Sequence, residues 1–173
     1  MSDDRATLGP LTPLDDRWAM GNPRPDGSWL EFRTDGLYLH AGAAEGELTP
    51  WPRITDVNGL TLGSKNPFPG DYSPMAFLNA LPGPWKGHGH GYLHLTLRHP
   101  YEDIAARFDL HPRLYGGTDL ALLQELLAQI NTTREPHRLG DTAWLTRAVT
   151  HLREHRSITT RGIQRAVTEA LAL

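Results

Sequence analysis

The chain has 173 residues, 39% of them hydrophobic and 21% charged, and a formal net charge of −3. It contains no cysteine, which excludes disulfides, thiolate nucleophiles, iron–sulfur clusters and cysteine-ligated zinc. The length suits one domain with an appendage, large enough to bury a core without staples. The charge is uneven: residues 1–131 carry 10 Lys and Arg against 16 acids, and residues 132–173 carry 7 Arg against 4 acids.

The opening MSDDRATLGPLTPLDD lacks a basic stretch followed by an apolar run, so it does not read as a signal peptide. No run approaches the ~18 apolar residues of a spanning helix, and a cytoplasmic protein is expected. Residues 1–27, rich in Pro, Gly and Asp, predict an irregular lead-in with Trp18 pinned on the core. Residues 28–32 and 37–40 then alternate around Asp35-Gly36, a hairpin signal because both residues tolerate positive φ. Leu30, Phe32, Leu37 and Leu39 define a buried face, and Glu31, Arg33, Tyr38 and His40 a wet one.

Residues 48–57 place apolar side chains at every third position. That spacing predicts a bent connection entering a strand at Ile54. Residues 61–89 hold ten Gly or Pro residues yet also Phe68, Tyr72, Phe77 and Trp85. Loops this long are often functional, and aromatic residues are enriched in interface cores. These four side chains are therefore the candidate partner-binding set, the alternative being that they fold back over one end of the sheet. Ser73 and Pro74 predict a short helix ending before Pro82.

Residues 91–98 alternate as a strand, with Leu93, Leu95 and Leu97 on one face. In 99–112, Phe108 and Leu110 suggest a strand, while 101–107 also fit a helical turn. Thr118 is expected to cap a helix to Ile130, with Leu120, Leu123, Leu127 and Ile130 as its stripe, widened by Leu122 and Leu126. Residues 131–140 read as a linker. Two more helices follow, one from Asp141 or Thr142 and one from Thr159 or Thr160, the latter weakened by Gly162.

Residues 28–131 resemble a bacterial pleckstrin-homology-like domain. The opening hairpin at 29–39, the phrase Leu48-Thr-Pro-Trp51-Pro-Arg53-Ile54 and the closing helix carry the likeness. The resemblance implies an α+β fold: a bent antiparallel sheet or partly open barrel closed by one amphipathic helix. The division is then 1–27 as an irregular segment, 28–131 as the domain and 132–173 as a two-helix C-terminal extension. Eukaryotic members often bind inositol phosphates through basic residues on the first hairpin, but here Arg33 stands among Glu31, Asp35 and Asp26, which argues against a phosphoinositide partner.

The chain has no nucleophile elbow, phosphate loop or metalloprotease helix. Its sharpest chemical pattern is Gly87-His88-Gly89-His90-Gly91-Tyr92-Leu93-His94. In an extended segment, His88, His90 and His94 share a face, and three imidazoles suit a divalent zinc, nickel or copper ion. The competing reading is a glycine-flanked turn that happens to hold histidines and needs no cofactor. Arg147, Arg153, Arg156, Arg161 and Arg165 on the tail helices raise nucleic-acid binding, against which the acidic front and the small tail surplus argue. The expectation is a non-enzymatic protein-recognition or scaffolding module, with self-association of the tail helices as one route. Metal binding by the histidines and nucleic-acid binding by the tail are the alternatives.

Overall fold

The structure, a computed structural model, describes residues 6–63 and 89–173 together with the backbone of 85–86. Alternating apolar residues build a five-stranded antiparallel meander: β1 (Leu11–Leu14), β2 (Arg17–Met20), β3 (Ser28–Phe32), β4 (Gly36–Ala41) and β5 (Ala44–Pro50). The first hairpin corrects the expected irregular lead-in. Asp15 takes a φ of 51°, a left-handed conformation that aspartate tolerates, so Leu14 and Arg17 close a tight turn. Trp18 is fully packed, as expected, and its indole N–H donates to Thr146 Oγ1 at 3.1 Å.

A 3-10 turn at Trp51–Arg53 supplies the expected bend. Beyond it run β6 (Ile54–Leu62), β7 (Trp85–Lys86), β8 (His90–Leu97), β9 (Glu102–Asp109) and β10 (Leu114–Tyr115). The order β6-β8-β9 forms a second antiparallel sheet, and β7 pairs with β10. The ambiguous stretch at 99–112 therefore contains a strand, because Ala106 and Phe108 bury one face while Arg107 stays outside. The class is α+β as expected, with two main antiparallel sheets, of five and three strands, beside the β7–β10 pair, and among the described residues they are not closed into a barrel.

Helix α1 (Gly117–Thr133) closes the fold. It begins after Gly116 with no side-chain cap, so Thr118 lies inside the first turn rather than before it. The helix is buried on more than one stripe: Leu120, Leu123, Leu127 and Ile130, but also Ala121, Leu122 and Leu126. Each leucine-sized side chain contributes about 1.5–3 kcal/mol of burial. Its polar residues serve the sheet edge. The Leu60 N–H donates to Gln124 Oε1 and the Val57 N–H to Asn131 Oδ1, each at 3.0 Å. Two side chains seven residues apart on one helix face thus supply acceptors that a neighbouring strand would otherwise offer to β6.

The tail is part of the same body. Residues 131–140 end α1 and form a 3-10 turn at Pro136–Gly140 with Leu139 buried. Helices α2 (Thr142–Glu154) and α3 (Thr160–Leu171) start at Asp141, which accepts from the Trp144 N–H, and Thr159, which accepts from the Gly162 N–H. Gly162 does not simply weaken α3, since a Cβ there would collide with Ser157 Oγ. Trp144, Leu145, Val149, Leu152, Ile163 and Val167 are buried in one cluster with the sheet residues. The apolar faces of both tail helices are consumed within the chain, and self-association through them would require opening it.

Candidate recognition surface

Side chains on a strand alternate between faces, so the register across β2, β3 and β4 decides which residues meet on the outside of the first sheet. Trp29 pairs with His40, Glu31 with Tyr38, and Ala19 with Glu31. Trp29, Glu31, Arg33, Tyr38, His40 and Arg17 therefore share the face opposite Leu30, Phe32 and Leu37. The rings are ordered into a ladder. Trp29 stacks on His40 with centroids 3.7 Å apart and planes 7° apart. Tyr38 lies 4.7 Å from His40 at 60°. The Arg33 guanidinium carbon sits 3.9 Å from the Tyr38 ring centre, within cation–π range. Gly46 on β5 makes room for this, because a Cβ at that position would enter the Tyr38 ring.

Glu31 occupies the middle of the face and is 4% exposed. Its carboxylate accepts from Arg17 Nη1, from Arg33 Nη2 at 3.0 Å and from His40 Nε2 at 2.8 Å. Burial by itself raises such a carboxyl, but the hydrogen bonds from Arg33, His40 and Arg17 outweigh it and hold Glu31 at about 2. The position expected to be wet is thus a buried anion that neutralises the arginines beside it. At the end of the face a cleft of about 410 Å³ is lined by Asp16, Arg17, Arg33, Thr34, Asp35 and Thr142, among others. Two arginines and two aspartates there make a mixed wall, not a cationic one.

The other candidates are distributed differently. Phe68, Tyr72, Phe77, His88 and the expected helix at 73–81 lie outside the described residues, as does the Trp85 side chain. His90 and His94 do share a face of β8, but the Tyr92 ring lies between them, 5.3 Å from His90 and 6.4 Å from His94. His94 is buried, its Nε2 is 3.0 Å from Thr61 Oγ1, and burial lowers its pKa. Among the described residues no three His, Asp or Glu side chains converge as a metal site. Three of the five tail arginines are engaged: Arg153 donates to the Thr7 carbonyl, Arg156 approaches Asp119 at 2.8 Å, and Arg165 donates to Glu169.

The ladder was partly legible. Residues Glu31, Arg33, Tyr38 and His40 fall on one face by alternation alone. The stacking partner Trp29 and the contribution of Arg17 needed the cross-strand register, and Arg17 sits in a hairpin that Pro and Asp content disguised. The chain thus defines a class by architecture: an α+β fold of two antiparallel sheets with a plugging helix and two packed tail helices. No family model, curated protein or solved structure matches it. No described helix is long and apolar enough to cross a membrane.

Proposed function

We propose that this chain is a non-enzymatic protein-recognition module, of the pleckstrin-homology-like type that residues 28–131 resemble, and that it grips its partner with the outer face of β2, β3 and β4. The observation that carries this reading is the half-exposed ladder of Trp29, His40, Tyr38 and Arg33. Trp, Tyr and Arg are the side chains most enriched among residues that dominate binding energy. Here they are stiffened by mutual stacking and by a five-stranded sheet, so little freedom is lost on docking. The partner this face suits is an extended protein segment offering apolar side chains to the rings.

The test compares the intact chain with Trp29→Ala/Tyr38→Ala as bait in extract of the source cells, followed by affinity measurement with the purified prey. Truncating hot-spot residues costs about 2 kcal/mol or more, a loss of about thirtyfold or greater. Prey retained equally by both baits, or bound with unchanged affinity, contradicts the proposal.

A further inference from the structure

The two residues of the β1–β2 turn line different clefts. Asp16 belongs to the one above, and Asp15 to a second of about 360 Å³ that also includes Thr7, Pro13, Pro23, His111 and Arg113. His111 is 9% exposed. Its backbone N–H donates to the Tyr115 hydroxyl at 2.8 Å, and its Nδ1 lies 2.6 Å from the same oxygen. A tyrosine hydroxyl has one proton. Donated to Nδ1, that proton leaves the neutral imidazole with its own proton on Nε2; the oxygen also has the lone pairs to accept from an Nδ1–H instead. Burial, and after it the charge of Arg113, pushes His111 down to about 4, while burial raises Tyr115, so both stay neutral near pH 7.

His111 Nε2 makes no hydrogen bond among the described residues, and the residue lines the cleft. Arg113 stands beside it. One of its nitrogens donates to the Gly9 carbonyl at 2.7 Å, and it makes no ion pair among the described residues. The nearby carboxylate, Asp119, is approached by Arg156 at 2.8 Å and Arg153 at 4.0 Å. A half-buried guanidinium and a buried neutral imidazole therefore share a wall with the apolar rings of Pro13 and Pro23. Asp15, in the same wall, opposes a bound anion in proportion to its charge, and so a doubly charged one more than a singly charged one.

We propose that this cleft binds a small organic monocarboxylate, its oxygens on the Arg113 guanidinium and the His111 Nε2–H and its apolar part against Pro13 and Pro23. This goes beyond the recognition face and does not depend on it. The test titrates the full chain with benzoate, and separately with inorganic phosphate, while following Arg113 and His111 side-chain signals by NMR. Benzoate is expected to produce saturable shifts at both residues and to bind more tightly than phosphate. Hydrogen bonds to charged groups contribute about 1.5–3 kcal/mol, so Arg113→Gln should weaken benzoate about ten- to a hundredfold. Because Arg113 also holds Gly9, Arg113→Lys provides a second variant that keeps the charge but loses the planar fork, and it too should bind benzoate more weakly. Absence of saturable shifts, phosphate binding as tightly as benzoate, or unchanged affinity in a folded variant overturns the proposal.

Discussion

Glu31 and His111 are both buried titratable groups reached by the β1–β2 hairpin region, and they solve burial in opposite ways. Glu31 is charged and surrounded by Arg17, Arg33 and His40. His111 is neutral, shares a hydroxyl with Tyr115 and faces the positive charge of Arg113. The hydrogen-bond partner, not burial itself, decides which protonation state the fold carries. Both groups have depressed folded pKa values, so both lose stability on acidification, in different windows. For His111 the unfolded ring takes its proton near 6.5 and the folded ring only near 4, so stability falls as pH drops through that interval. For Glu31 the contribution is complete above about 4.5 and is lost as pH falls toward 2. Each shift corresponds to a change in stability on the order of 3 kcal/mol across its window, a favourable interaction lost for Glu31 and a charging penalty incurred for His111.

Substitutions can break each half of the contrast. The largest effect belongs to Glu31→Gln, which leaves Arg17 and Arg33 facing each other without their anion. It should cost about 2–4 kcal/mol in urea unfolding at pH 7, and it should flatten stability between pH 4.5 and 2. An unchanged midpoint would mean that the charged cluster does not support the sheet. Tyr115→Phe attacks the other half by leaving the His111 amide and Nδ1 without their shared oxygen, at about 1–3 kcal/mol. Gln124→Leu removes the acceptor of the Leu60 N–H and should cost about 1–2 kcal/mol without altering either acid limb, since no charge changes. Thr159→Ala removes the α3 cap at about 1 kcal/mol and sets the scale of an ordinary, pH-independent hydrogen bond. If either neutral variant changed the acid limbs as Glu31→Gln does, the limbs would not belong to the groups named.

Short-range chemistry in the sequence matches much of the fold. The Asp35-Gly36 hairpin, the bend at Trp51, the alternation of Leu93, Leu95 and Leu97, and the cap at Thr159 all form where local pattern puts them. What escaped was set by distant partners. The β1–β2 hairpin hides behind Pro10, Pro13 and paired aspartates, and only its pairing with β3 identifies it. The α1 stripe is widened by Leu122 and Leu126 as the sequence suggests, but that α3 packs against this helix is not visible in a reading of residues 28–131 alone. Glu31 alternates correctly onto the outer face, yet alternation says nothing about the cations that gather over it. His111 and Tyr115 are four residues apart, but the chain between them is neither a helix nor a continuous strand, so their spacing carries no signal.

A pH titration of the intact chain by NMR, reading the ring nitrogens of His111 and the carboxyl carbon of Glu31, tests the contrast most directly. The account predicts that His111 stays neutral, with its proton on Nε2, down to about pH 4, and that Glu31 remains ionised to about pH 2. A His111 ring that protonates near 6.5, or that carries its proton on Nδ1, would contradict it.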